Sequence, residues 1–305
     1  MFMNWFLIAF TSTVLWSVTN FIDKYLVSKY FQKRGLGVLM IFAASIGFFL
    51  LPIILLITRG QVFSLPPRDA LILMASGIVY VFAILPYFFA LRTEDASLVA
   101  PFFQSIPVFS YFLGLIFLGE HLSGRQIAAS LLIIFGAVGL SIDFSQKSIF
   151  RWRIFGLMML SSLLYALNIF FFKFMERDSN FWTTSFWEYA GFSLAAVGML
   201  AISRYRREFM NSFKVNGLKV LGINSVNEII NIAAKIIFNF ATLLAPLALV
   251  WTVNGMQPLV VLFFGFILTI FWPKIFNEDI TKKTLAQKAI FIILIFIGGY
   301  LLNRY

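Results

Sequence analysis

One predicted helix carries a stripe of amide and charged side chains along a single face. At 100° per residue, its members fall within an arc of roughly 120°. Because amides and charges cannot face lipid, this face must meet protein or a water-filled cavity. The amide stripe consists of Asn224, Asn227, Glu228, Asn231, Lys235 and Asn239.

The amide stripe has two interpretations. It forms a hydrogen-bond ladder between helices, including a network between Glu228 and Lys235, or it lines a cavity that binds a small polar ligand. Four amides and a charge pair exceed what packing needs, which favours the cavity. Glu228 and Lys235 would then bind the charged ends of a zwitterion, or Glu228 would carry a coupling proton.

Polar and aromatic side chains in other apolar segments can complete such a site. Tyr and Trp combine a stacking surface with one polar tip, and amides both donate and accept hydrogen bonds. Together with Asn227, Glu228, Asn231 and Lys235, the predicted substrate-binding residues are Trp16, Asn20, Lys24, Tyr80, Gln104, Tyr165, Asn168, Lys173, Asn254 and Gln257. We predict no catalytic and no metal-binding residue.

Ionisable residues within apolar segments normally face a cavity or a partner, because a charge in hydrocarbon is costly. Asp23, Lys24 and Lys173 have a second interpretation, since they lie near span ends and can extend to the membrane interface. Both interpretations stay open for these three residues. Glu188 lies only a few residues into its span, and we interpret it as interfacial.

The residue types give little support to enzymatic chemistry. The chain has no cysteine and a single histidine, His121, which excludes disulfides, thiolate zinc sites and multi-histidine metal sites. No glycine-rich loop carries the Lys and the Ser or Thr that hold nucleotide phosphates. We therefore expect neither an enzyme nor a bound cofactor.

The composition is typical of a polytopic membrane protein. Of the 305 residues, 61% are hydrophobic and 12% are charged, whereas soluble domains are about 25% charged. This excludes a soluble enzyme and a nucleic-acid-binding domain. The apolar runs are long and lack the alternation of strands, so they predict helices. They lie at about 5–27, 36–57, 70–91, 96–118, 124–142, 153–174, 183–203, 216–241, 245–271 and 286–303.

The two halves of the chain repeat the same pattern. Pro107 and Pro258, for example, are separated by 151 positions and lie in matching apolar runs. We predict an all-α membrane protein of ten transmembrane helices in two inverted five-helix repeats, residues 1–148 and 149–305. An odd number of spans in each half places the second half upside down, as in many secondary transporters.

Short motifs in the first half are similar to those of a known family. They are Trp16 with Lys24, the stretch 96–100 that leads to Pro107, and the Gly119–Leu122 turn. On these residues the chain resembles the EamA-like branch of the drug/metabolite transporter superfamily. The corresponding turn of the second half, Asn277-Glu278, departs from the pattern. The resemblance implies ten helices and a small-metabolite transporter of the cytoplasmic membrane, without implying a substrate.

The basic residues carry information on orientation. Loops after odd-numbered spans hold 16 of the 24 Lys and Arg residues, and the loops on the opposite side hold 5. The positive-inside rule therefore places both termini outside the cytoplasm. The family resemblance implies the opposite orientation, and we favour the charge count because it comes from this chain.

Together these features predict a secondary transporter for a small polar or amphipathic metabolite, amino-acid-like or drug-like, that works by alternating access with optional proton coupling. The alternatives are a flippase for a lipid-linked substrate and a non-transporting membrane scaffold. As partners we expect a small-molecule substrate and the lipid bilayer, and no nucleic acid. The chain is expected to act as a monomer or a homodimer.

Overall fold

The computed structural model describes residues 4–30, 36–93, 100–141, 152–177, 179–271 and 282–303. Within these ranges the chain is helical apart from short turns and connections. Two 3-10 turns lie at Gln61–Ser64 and Ala100–Ser105, and a π turn lies at Gly114–Leu118. The α-helices are α1 (Trp5–Tyr30), α2 (Leu36–Thr58), α3 (Pro67–Thr93), α4 (Ile106–Leu113), α5 (Gly124–Ser141), α6 (Trp152–Glu176), α7 (Phe181–Ala201), α8 (Ser203–Leu244), α9 (Leu247–Asn254), α10 (Gln257–Phe271) and α11 (Lys282–Asn303).

Five helical segments of the described chain are long and apolar enough to cross a bilayer. They belong to α1, α2, α3, α6 and the second part of α8, Leu218–Leu244. A sixth span results if α7 and the start of α8, which are bent against each other, count as one. Shorter apolar helices lie at Phe102–Leu118, Gly124–Gly139, Leu247–Val261 and Ala289–Leu302. The protein is therefore an integral membrane protein with several membrane spans.

The helices pack mainly in pairs that join the first and second parts of the chain. α1 lies along α8, α2 along α7, α3 along α6 and α7, α4 along α9, and α5 along α11. Glycines allow the closest of these approaches, as is common between membrane helices. A Cβ atom at Gly77 would collide with the Glu188 carbonyl, and one at Gly191 with the Met74 carbonyl. The backbones of α3 and α7 are therefore in direct contact.

Two prolines mark breaks within apolar segments. Pro107 is the second residue of α4 and follows a 3-10 turn, and Pro258 is the second residue of α10 and follows the Gly255–Met256 turn. Proline fits the first turn of a helix because the backbone N–H groups there have no partner in the helix. The two apolar segments that contain these prolines are thus interrupted helices.

α8 is much longer than a membrane span. Its 42 residues correspond to about 63 Å, against a hydrocarbon core of about 30 Å. The first segment, Ser203–Ser212, lies at 96° to α7, and its Phe209 packs on Phe42 of α2 with ring centroids 5.2 Å apart. The amide stripe lies in the second segment, Leu218–Leu244. α8 contacts α1, α6 and α7.

Two apolar cores flank the stripe. Residues at most 2% exposed include Ile133, Ala166 and Val250 in one core and Met40, Val81 and Tyr189 in the other. α1 and α8 contribute residues to both cores, Ala9 and Phe238 to the first and Leu26 and Val220 to the second. The middle sections of α1 and α8 therefore lie where the two cores meet.

Candidate functional site

A buried ion pair joins α7 and α8. The Lys235 ammonium lies 3.1 Å from Oε1 of Glu188, and the two side chains are 4% and 0% exposed. Lys235 also donates to Oδ1 of Asn168 on α6 at 3.1 Å. Its ammonium lies 4.3 Å from the centre of the Tyr80 ring, a favourable position for a cation–π contact. The protein itself therefore neutralises and solvates this charge.

Asn168 connects the ion pair to α3. Its Nδ2 donates to Oε1 of Glu188 at 2.7 Å and to the Ser76 hydroxyl at 3.0 Å. The Ser76 hydroxyl donates in turn to the Asn168 carbonyl at 3.1 Å. Asn239 of α8 donates to Oε2 of Glu188 at 3.3 Å. Both carboxylate oxygens are thus hydrogen-bonded, which is the condition for a stable charge pair away from water.

The structure corrects two expectations about this pair. Lys235 binds Glu188 and not Glu228, and Glu188 is fully buried rather than interfacial. At 1.5 Å per residue, Glu188 lies about 10 Å from the start of α7 and Asn168 about 12 Å from the end of α6. The chain reverses its direction between the end of α6 and the start of α7, so Asn168 and Glu188 lie at similar distances from this turn. These similar distances were the sequence signal that could have revealed their contact.

A second polar cluster joins α1 to the stripe. The Trp16 indole donates to Oδ1 of Asn231 at 2.8 Å, and Asn231 donates to Glu228 at 3.4 Å. Asn227 donates to Asp23 at 2.7 Å, so Asp23 binds a neighbouring helix rather than extending to the interface. Neither Asp23 nor Glu228 has a basic partner among the residues whose side chains are described.

Asn20 is exposed although it lies on the packed face of α1. It lies on the same face of α1 as Ala9, Thr13 and Trp16, which follow one another at intervals of three or four residues. Ala9 and Thr13 are 0% exposed, whereas Asn20 is exposed. An exposed amide on the packed face of a helix indicates a neighbouring space that water can enter. Asn231, the partner of Trp16, is likewise only partly buried.

Five rings form an aromatic wall next to this space. Trp16 lies 5.1 Å from Phe238 of α8 and, nearly parallel, 6.4 Å from Trp251 of α9, measured between ring centroids. Tyr165 of α6 follows 6.5 Å from Trp251, and Tyr80 of α3 lies 5.4 Å from Tyr165. The aromatic wall therefore extends from the second cluster to the ion pair and offers stacking surfaces to a ligand.

Several buried polar atoms of the described residues have no hydrogen-bond partner. Among them are Nε1 of Trp251, Oε1 of Gln104, Oδ1 of Asn254, Oδ1 of Asn227 and both amide atoms of Asn224. Gln104 lies against Gly255 at the break between α9 and α10. An unpaired buried donor or acceptor costs about 1–3 kcal/mol. Such a group of atoms is typical of a site that water or a ligand completes.

Lys173 lies apart from these clusters, at the end of α6. It forms an ion pair with Glu120 and donates to the Ala245 carbonyl at 2.7 Å. Glu120 also accepts a hydrogen bond from the backbone N–H of Leu247 at 2.9 Å. The Glu120–Lys173 pair thus fixes the connection between α8 and α9. Lys173 therefore binds groups of the same chain and does not extend to the membrane interface.

The remaining predicted residues complete the inventory. Gln257 begins α10 and is partly buried, at the break that also contains Asn254. The side chain of Lys24 lies outside the described part of the chain. Sequence-based reasoning interpreted Glu188 as interfacial and did not name Trp251. The position of Trp251 one helical turn before Asn254 was a usable signal, because residues three apart share a helix face.

Comparisons with known proteins place this geometry in context. Residues 3–142 match the profile of the EamA-like transporter family. A solved crystal structure of another protein is similar over 97% of this chain and 95% of that chain, with a TM-score of 0.63 at 15% sequence identity. A search of curated proteins found no match. The first comparison confirms the resemblance of the first half, and the second shows a likeness of fold along nearly the whole chain.

Proposed function

We propose that this chain, whose residues 3–142 match the profile of the EamA-like transporter family, is a secondary transporter that moves a small polar or amphipathic metabolite by alternating access. One observation carries the proposal: the exposed Asn20 and the partly exposed Asn231 lie among apolar helices, beside an aromatic wall. Water-accessible polar side chains within membrane helices normally line a path for a substrate or an ion.

We further propose ten transmembrane helices in two inverted repeats, residues 1–148 and 149–305. The long spans, α7 and the shorter apolar helices add up to ten segments. The packing supports this division. In the two repeats α1 corresponds to α6 and α3 corresponds to α8, so the contact of α1 with α8 should be matched by one of α6 with α3, and both contacts occur. The contacts of α2 with α7, α4 with α9 and α5 with α11 join corresponding helices. Such symmetry favours a substrate site between the halves.

Alternating access requires that one end of the site is closed while the other is open. Near the start of α1, Ala9 and Thr13 are fully buried, and in the proposed topology the Glu120–Lys173 pair lies at the same end. Asn20, farther along α1, is accessible. This distribution fits a state that is closed at the end where α1 begins. Opening that end would break the Glu120–Lys173 pair, which joins the two proposed halves.

The charge distribution supports a location in the cytoplasmic membrane with both termini outside the cytoplasm. Loops on one side hold 16 basic residues against 5 on the other, and such an excess normally lies in the cytoplasm. The open end of the site then faces the cytoplasm. A reporter that is active only in the cytoplasm, fused after Tyr305, should be inactive, and activity would reverse the orientation.

Two further features complete the proposal. Glu228 has no basic partner among the described side chains and can carry a coupling proton. A monomer is sufficient for transport because one chain supplies both halves, and a homodimer is compatible with the same mechanism. Measuring uptake with and without a proton gradient tests the coupling, since a gradient-independent uptake removes the proton from the mechanism.

Uptake into liposomes by the purified protein tests the transport function. A thermal-shift screen of small metabolites first identifies a stabilising compound, and its uptake is then measured. Asn231→Leu removes the bond with Trp16 and should lower uptake at least about tenfold. Asn211→Leu, at an exposed position of the Ser203–Ser212 segment, is the matched control. Full uptake by the Asn231→Leu variant, or no uptake of any stabilising compound by the wild type, contradicts the proposal.

A further inference from the structure

We infer that the space beside Asn20 accepts an organic cation, with a protonated amine between Asp23 and Glu228 and an apolar body against Trp16 and Trp251. The inference rests on the proposed transport function, because it names the substrate class of the same site. It replaces the expected zwitterion, whose carboxylate would have needed Lys235.

The charges near Asn20 favour a cation. Lys235 is bound to Glu188, and Lys173 is bound to Glu120. Asp23 and Glu228 have amide partners but no basic partner among the described side chains. Asp23 accepts a hydrogen bond at 2.7 Å from Asn227, the residue that precedes Glu228, so the two carboxyl groups belong to one cluster. A cation placed between them would be attracted by their carboxylate forms, and this attraction is strong in a medium of low dielectric constant.

The unused hydrogen-bonding atoms of the cluster favour a ligand that donates hydrogen bonds, independently of its charge. Asn227 and Asn231 use an N–H of their amides on Asp23 and Glu228, and Oδ1 of Asn231 already accepts from Trp16. Oδ1 of Asn227, a residue only 2% exposed, has no partner in the described chain. The unused capacity at the cluster therefore includes carboxylate and amide oxygens, which call for a donor. An ammonium group supplies three donors, and a carboxylate supplies none.

The aromatic wall favours a ligand with an apolar body. Trp16 and Trp251 lie nearly parallel, at an interplanar angle of 7°, and Phe238 contacts both rings. Asn231 links Trp16 to Glu228 by hydrogen bonds, so the aromatic wall lies next to the carboxyl groups. Aromatic faces attract cations and stack on apolar bodies. The combination favours an amine that carries a hydrophobic group of the size of a ring.

A set of four compounds with the same phenyl body separates the charge classes. They are 2-phenylethylamine as the cation, 2-phenylethanol as the neutral form, 3-phenylpropanoate as the anion and phenylalanine as the zwitterion. Binding to the purified wild type is followed by quenching of tryptophan fluorescence and by thermal shift. The amine should bind at least about tenfold more tightly than the alcohol, and the anion should bind more weakly than the alcohol.

Two variants locate the effect. Glu228→Gln and Asp23→Asn should each reduce the preference for the amine over the alcohol at least about fivefold, without weakening the alcohol. Glu208→Gln removes a surface carboxylate that binds Arg204 and should leave the preference unchanged. The inference is overturned if the anion or the zwitterion binds as tightly as the amine, if none of the four binds, or if both variants keep the preference. Transport of another compound that depends on Asn231 would leave the proposed function intact in each of these cases.

Discussion

The Lys235 ammonium lies 3.1 Å from the Glu188 carboxylate, and this contact divides the amide stripe into two parts. Lys235 and Asn239 bind buried protein groups and connect helices. One turn before Lys235, Asn231 is partly exposed and binds Trp16. The hydrogen-bond ladder therefore describes the part around Lys235 and Asn239, and cavity lining around Asn231 stays a prediction.

Removing one partner of the buried pair should be far more damaging than removing both. Lys235→Met leaves the Glu188 charge buried without a base and should lower the free energy of unfolding by about 3–5 kcal/mol. The Lys235→Met/Glu188→Gln double variant should recover most of this loss. Unfolding in detergent measures both, with Arg204→Met in the exposed Arg204–Glu208 pair as the control, expected to cost less than about 1 kcal/mol. Equal stability of the wild type and the Lys235→Met variant would show that Lys235 and Glu188 do not form a buried ion pair.

The backbone contact between α3 and α7 should not tolerate an added methyl group. In Gly77→Ala the new Cβ atom would collide with the Glu188 carbonyl, so stability should fall by about 1–3 kcal/mol. Gly198→Ala is the control on α7, because nothing lies within 4 Å of the added atom. Thermal unfolding of both variants measures the difference. An unchanged midpoint for the Gly77→Ala variant would show that the backbones of α3 and α7 are not in direct contact at Gly77.

The Glu120–Lys173 pair should hold one end of the site closed. Lys173→Met removes the cation that joins Glu120 to the Ala245 carbonyl, and this should increase the accessibility of Thr13, which is 0% exposed. A Thr13→Cys variant provides the reporter because the chain has no native cysteine. We expect its reaction with a water-soluble maleimide to be at least about threefold faster in the Lys173→Met background. An unchanged rate would remove the pair from the closing mechanism.

Trp16 should contribute to ligand binding through its N–H group as well as its ring. Trp16→Phe keeps an aromatic surface near Phe238 and Trp251 but removes the donor to Asn231. The loss of a hydrogen bond worth about 0.5–1.5 kcal/mol should weaken ligand binding about 2- to 12-fold. Trp182→Phe, at an exposed position of α7, serves as the control and should bind normally. Equal affinities of both variants would assign Trp16 a purely structural role.

Much of the helical arrangement follows from hydropathy. The apolar runs coincide with helices or interrupted helices, because a membrane span requires a long apolar segment whatever its neighbours are. The stripe on α8 was also predictable, since a helix fixes the angles between its own residues. The interruptions at Pro107 and Pro258 did not follow from the missing N–H of proline alone, because Pro52 and Pro86 lie inside the uninterrupted helices α2 and α3.

The pairing of side chains across helices was not predictable from one helix at a time. Glu188 binds Lys235 and Asn168, which are 47 and 20 positions away in the chain, because three helices converge there. The choice between this contact and the expected Glu228–Lys235 network depends on how α6, α7 and α8 are rotated about their axes. That rotation is set by close packing, including the Gly77 contact, and not by the hydropathy of any single segment.

Cysteine labelling at three positions of α1 tests most directly whether a water-filled space exists inside the bundle. Single-cysteine variants are made at Asn20, which faces that space, at the fully buried Thr13, and at Leu7, which is 58% exposed on the apolar outer surface. Maleimide reacts with the thiolate, which forms in water but not in hydrocarbon or in a packed interior. In proteoliposomes Asn20→Cys should react at least about tenfold faster than Thr13→Cys and Leu7→Cys. A rate at Asn20→Cys as low as at Leu7→Cys would contradict the account.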